Sequence, residues 1–245
     1  MTKNAINRRG FLKTCMTTAT IISTNPSVLA GQTGSITPYN KVLIKQENGQ
    51  PLNSRGLESN NGFVFHYPYV TTPCFLVDLG KPVLHDNEER QQSEDFWPGG
   101  VGQNNSIVAF SAICSHKLSY PTRTASFISF RSEKVSFRNS RNEPETGTQL
   151  IHCCSERSVY DPSKGAKVIG GPAPVALTAI ALEYDPITDQ IFATGTSGIE
   201  QYQQFFEKFS YRIKLEYQIE RIEQLAETFS MAYPADTFST NRIQC

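Results

Sequence analysis

Several things are scarce in these 245 residues, and each absence narrows the reading. An excess of one charge is missing: Lys and Arg total 23, Asp and Glu total 23, and the net charge is zero. No basic field therefore advertises nucleic acid as a partner. Long apolar runs are missing too. The weakly apolar stretch at residues 16–29 is rich in threonine and falls short of the roughly 20 strongly apolar residues a bilayer core demands, so no stable transmembrane anchor is expected. There is no G-x-S-x-G elbow, no H-E-x-x-H pair and no phosphate loop, so hydrolytic or group-transfer catalysis is not expected and no catalytic residue is assigned. With four histidines and six cysteines, any metal centre has few side chains to draw on.

What is present favours a loop-rich β architecture. Glycine (16) and proline (14) punctuate short runs of alternating or β-branched residues. Strand patterns begin at residues 41–46 (KVLIKQ) and continue at 63–66 and 74–79, either side of a turn-rich YPYVTTP. His66 alternates with Phe63 and Phe65, which points to a structural role, and Cys74 reads as a core residue. Residues 84–100 are charged and end in Pro-Gly-Gly, a surface insertion with His85 exposed and Trp97 as its anchor. Residues 106–113 (SIVAFSAI) form a strong strand that runs into CSHKLSYP at 114–121, so a Cys-x-His loop is set on a rigid base. Residues 122–148 hold further strand-like pieces and a polar loop before LIHCCSERSVYDPSKGAKVIGGPAP at 150–174.

Taken together, the two cysteine loops resemble those of the Rieske iron–sulfur family, in which two thiolates hold one iron and two imidazoles the other. Cys114 and His116 match the first loop. The second loop lacks the family's histidine in either register. With Cys153 as ligand the fourth position falls on Glu156 and Tyr160-Asp161 keep their usual distance; with Cys154 it falls on Arg157 and the loop is one residue short. The doubled cysteine followed by Ser-Glu favours Cys154, as in a shortened-loop branch. His152 is the histidine nearest the missing ligand, but its strand position points it away. The resemblance implies that Ser158 and Tyr160 donate hydrogen bonds to the cluster and that Gly171, Pro172, Ala173 and Pro174 cover it. The family's disulfide between the loops is not expected, since Ser119 and Ser155 or Glu156 stand at its positions; Cys245 is expected to be free or tied to a partner.

NRRGFLK at residues 7–13, followed by the apolar stretch and Ala30, resembles a twin-arginine export signal. The expected organisation is a signal at residues 1–30 and a linker at 31–40. A Rieske-like domain follows at 41–198, an antiparallel β-sandwich with a cluster-binding subdomain and insertions near 84–100 and 122–148. A helical extension closes the chain at 199–245, with residues 201–231 at helical spacing. FVFHYPYVTTPCFLVDLGKPV at 63–83 resembles the arsenite oxidase small subunit. That likeness implies a [2Fe-2S] carrier in the periplasm, passing single electrons between a molybdenum-containing catalytic chain and a cytochrome; a quinol–cytochrome c reductase subunit is the nearest variant. The replaced ligand keeps open a cluster-free binding module, and the cysteines and His116 also suit zinc.

Overall fold

A computed structural model describes residues 36–57, 59, 61–84 and 97–245. The chain divides into Met1–Thr33 and Gly34–Cys245, and every described residue belongs to the second unit. The twin-arginine motif, His85 and most of the charged insertion lie outside the described residues.

The strands in chain order are β1 (Thr37–Gln46), β2 (Gly62–His66), β3 (Pro73–Asp78), β4 (Ile107–Ser111), β5 (Ala125–Ser126), β6 (Ile128–Arg131), β7 (Val135–Arg138) and β8 (Pro144–Gly147). They continue with β9 (Leu150–Cys153), β10 (Ser158–Asp161), β11 (Lys167–Gly170), β12 (Ala179–Asp185), β13 (Gln190–Ser197), β14 (Phe229–Pro234) and β15 (Asn241–Arg242). Helices α1 (Tyr202–Tyr217) and α2 (Ala235–Phe238) fall between β13 and β15. The class is the expected one, all-β with a C-terminal helix. The larger sheet closes into a barrel in the order β1-β13-β12-β4-β3-β2-β14, and a smaller sheet runs β11-β10-β9-β6.

Period-two alternation explains how the two sheets meet. In β3, Cys74 and Leu76 fill the barrel interior while Phe75 and Val77 face the layer between the sheets. In β4, Ile107 and Ala109 point inward and Val108 and Phe110 outward. Both faces are dry, so these strands carry near-continuous apolar runs instead of a polar face. The intersheet layer takes Ile128, Ile151, Cys153 and Tyr160 from the small sheet and continues into Cys114 just beyond β4. Trp97 stacks on Phe110 with ring centroids 5.9 Å apart, the anchoring contact of its segment.

The C-terminal region departs from the helix expected over 201–231. Helix α1 ends at Gln218, which takes the left-handed conformation at φ 52° and caps onto Lys214. Beyond it the chain turns at residues 221–224 and runs along the β2–β3 turn: Val70 N–H donates to the Gln224 carbonyl and Ala226 N–H to that of Pro68. It then becomes β14, parallel to β1 and antiparallel to β2, closing the barrel. The helical spacing of IERIEQLAETF lost to backbone hydrogen bonds that only the β2–β3 turn and the barrel edges supply. The apolar face of α1 (Tyr202, Phe205, Phe206, Ile213) packs on Ile113, Leu118 and Tyr120 of its own domain.

Candidate metal centre

The first cysteine loop leaves the end of β4 and is held by its own backbone, Cys114 N–H donating to the Ser119 carbonyl and Leu118 N–H to that of Cys114. Leu118 takes a left-handed φ of 58° to close the turn. Helix α1 pins the outside of this loop: Gln201 Nε2 donates to the Ser115 carbonyl at 3.2 Å and Lys208 Nζ to that of Lys117 at 2.8 Å. The second loop is the turn between β9 and β10, where Cys153 pairs with Ser158 and Ile151 with Tyr160.

Alternation along β9 decides which cysteine meets Cys114. Ile151 and Cys153 face the intersheet layer, whereas Leu150 faces a separate cluster with Phe137 and Val159. Cys114 and Cys153 are both free thiols with no exposed surface. Cys154, one residue on, faces the other way and forms a disulfide with Cys245, Cα to Cα 5.5 Å. Two expectations are thereby corrected. Cys154 is not available as a thiolate ligand, and the free thiol that the second loop sets beside Cys114 is that of Cys153. Cys245 is neither free nor tied to a partner. The second loop does carry a disulfide, but to the chain terminus and not to the first loop.

The polar groups around the thiols are arranged for a charged sulfur. Tyr160 Oη lies 3.2 Å from Cys114 Sγ and accepts from Ser115 N–H at 3.2 Å. Ser115 Oγ donates to the Val175 carbonyl at 2.6 Å, tying the loop to the segment after GGPAP. Hydrogen bonds from Cys153 first, then Tyr160 and the N–H groups of His116 and Lys117, hold the Cys114 thiol down to about 6 against burial. Sharing that proton with Cys114, and then burial, push the Cys153 thiol up. Burial foremost, and then the Cys114 charge, keep the Tyr160 hydroxyl protonated and donating.

Two buried polar atoms here lack any partner: His116 Nδ1 and Ser158 Oγ. An unsatisfied buried group costs about 1–3 kcal/mol, so atoms left bare in the two thiol-bearing loops are in order for a group that both loops embrace. Glu156 behaves differently. It is about half exposed and sits 3.9 Å from Lys117 Nζ, a contact that bridges the two loops. Arg157 is also exposed, with a left-handed φ of 60° that ends the turn. His152 lies on the opposite face of β9 from Cys153 and 3.9 Å from Cys245 Sγ, so it does not substitute for the missing ligand. His152, Cys154 and Cys245 cluster within 4.8 Å, but the disulfide occupies both sulfurs.

The glycines of GGPAP have a steric cause. A Cβ on Gly170 would stand 2.3 Å from the Arg138 carbonyl oxygen, and one on Gly171 2.3 Å from that of Arg157. Gly171 also needs φ +79°.

Among solved structures, the chain is similar to the soluble domain of the Rieske protein II (soxF) from Sulfolobus acidocaldarius. Identity is 25% over 71% of this chain and 84% of that one, with a TM-score of 0.43. No protein-family model matches. The likeness is loose, and the centre is understood from its own residues. His66 plays the structural part expected of it, with Nε2 2.9 Å from Tyr217 Oη, joining β2 to α1. Sequence reasoning missed the roles of Gln201 and Lys208, whose partners are backbone carbonyls 86 and 91 residues away with no local signal. It preferred Cys154 over the Cys153 register, which it also held open and in which Tyr160-Asp161 keep their usual distance.

Proposed function

We propose that the protein is an electron-transfer subunit of the Rieske type. The observation that carries this reading is the pair of buried free thiols, Cys114 and Cys153, in contact with each other, with His116 Nδ1 and Ser158 Oγ left unpartnered in the same two loops. Three of the four donors of a Cys₂His₂ [2Fe-2S] centre are thus in the order that chemistry requires. Cys114 and Cys153 would hold one iron and His116 the other, with the Glu156 carboxylate at the remaining position. Such a cluster, when bound, supplies one-electron oxidation and reduction. The chain itself supplies the rest: the intersheet layer excludes water from the thiolates, Tyr160 donates to the Cys114 sulfur, and the Ser158 hydroxyl is free to donate. Hydrogen bonds to the sulfurs favour the more negative, reduced state.

Export through the twin-arginine route belongs to the same reading, since that route takes folded proteins and suits a cofactor assembled before transport. The Cys154–Cys245 disulfide agrees with an oxidising compartment. No helix among the described residues is long and apolar enough to cross a membrane. The electron partners proposed are a molybdenum-containing catalytic chain and a cytochrome. Replacing Arg8 and Arg9 with Lys tests the export claim, with precursor retained in the cytoplasm as the expected result.

Iron and acid-labile sulfide assayed on anaerobically prepared native protein test the centre. Equal amounts are expected. Their absence would favour the second reading, a cluster-free binding module, for which the exposure of Glu156 and its pairing with Lys117 are the supporting observation. Stoichiometric zinc would instead assign Cys114, His116 and Cys153 to a zinc site with a fourth position open.

A further inference from the structure

The outer face of the small sheet, turned away from the thiols, carries a second site. The β7–β8 hairpin lies over this face, and between it and the β9–β10 turn is a cavity of about 650 Å³. That volume is within the range of small-molecule sites, roughly 300–1,000 Å³. Arg138, Arg157 and His152 line it together with Phe137, Asn139 and Cys245, and no Asp or Glu side chain is among its lining residues.

Arg138 and Arg157 are among the described arginines without an acidic partner, whereas Arg123 and Arg212, likewise without one, lie over aromatic rings. Arg55, Arg131, Arg141 and Arg242 each meet an Asp or Glu. Arg138 reaches only a backbone oxygen, that of Asn142 at 2.8 Å, and Arg157 has no carboxylate partner among the described residues. The hairpin's own Glu143 is taken by Arg141 at 3.1 Å and by Asn139 Nδ2 at 3.2 Å. Two cationic residues lining one cavity give it a positive potential that favours an anion.

The convergence is built into the backbone. Gly170 and Gly171 are the residues against which the Arg138 and Arg157 carbonyls pack, at distances that no side chain tolerates. Asn139 also bridges to Gly170. The same two glycines that position the loop over the thiols therefore bring both arginine-bearing segments onto one wall. Phe137 is largely buried and offers an apolar surface beside them.

We propose that this cavity binds a small organic anion, an apolar body with a carboxylate, phosphate or sulfonate head held by Arg138 and Arg157. A guanidinium presents parallel N–H donors that match a group with two anionic oxygens, so the shared requirement is the two-oxygen head. The Phe137 side takes the body.

Calorimetric titration of the full chain with benzoate, phenyl phosphate and benzenesulfonate, and with neutral benzamide, tests this. At least one anion is expected to bind where benzamide does not, and the preferred head identifies the ligand class. Affinity should weaken as salt is raised, because both arginines are exposed. The R138Q/R157Q double variant should lose about tenfold or more in affinity, equal to about 1.4 kcal/mol or more. If that variant fails to fold, the arginine Nε–H resonances of the unaltered protein serve instead, and two of them should shift with the anion and not with benzamide. No binding by any anion, equal binding of benzamide, or unchanged affinity in a folded double variant would overturn the site. Iron content plays no part in these readouts, so the outcome is independent of the proposed electron-transfer role.

Discussion

At the scale of single residues, the proposed centre departs from a two-histidine one at Glu156. A carboxylate offers hard oxygen where imidazole would offer a nitrogen whose protonation follows the iron's oxidation state. Glu156→His should therefore steepen the pH dependence of the reduction potential and sharpen a Rieske-type EPR spectrum. Arg157→His should leave both unchanged, because the disulfide removes Cys154 from the ligand set and with it the register that would put residue 157 at the fourth position. Potentiometry and EPR on both variants check the pair, and a response at 157 alone would reverse the register. Tyr160→Phe removes the hydroxyl 3.2 Å from Cys114 Sγ. It should lower the reduction potential, since the lost donor favoured the reduced state.

At the scale of elements, two links hold peripheral pieces to the centre. The disulfide ties the β9–β10 turn to the last residue across a sequence separation of 91. Loops of that size give up considerable entropy when closed in the unfolded chain. Cys245→Ser should therefore cost about 2–4 kcal/mol in chemical denaturation under oxidising conditions and nothing once the disulfide is reduced. The second link joins β2 to α1 through His66 and Tyr217. Burial first, and then Arg123, hold His66 down to about 4 from its ordinary 6.5. Between those values the unfolded chain takes up a proton that the folded chain refuses, so this contribution is complete above pH 6.5 and is lost as pH falls towards 4. Melting temperatures measured across that window should fall less for His66→Gln than for the unaltered protein, and equal falls would remove His66 from the account.

At the scale of the whole molecule, the barrel depends on a strand from the far end of the chain. β14 pairs with both β1 and β2 and brings Ala232, fully buried, into the barrel interior. Without it the edges of β1 and β2 are left open, with unpaired backbone groups and an exposed apolar interior. Truncation after residue 228 should yield an aggregated or unfolded chain by circular dichroism. The full chain carrying Leu215→Ser, at a position 64% exposed on α1, should keep its melting temperature. The core therefore spans nearly the whole described chain, and the C-terminal region is part of the fold instead of an appendage.

Local pattern determined a good deal by itself. The strands β2, β3 and β4 and the loop from Cys114 to His116 at a strand end were legible, because alternation and turn residues act within a few positions, whereas Ser158 and Tyr160 were reached only through the family resemblance. The start of α1 was legible for the same reason, with Tyr202, Phe205 and Phe206 at helical spacing. Its end was not, because residues 218–234 satisfy their backbone in contacts with Pro68, Val70 and the two barrel edges. Nor could sequence alone separate Cys153 from Cys154. Adjacent strand residues point to opposite faces, so one cysteine meets Cys114 in the intersheet layer and the other meets Cys245 outside it. Which face is which is decided only when β9 docks between β6 and β10 and the last residue of the chain returns to the turn.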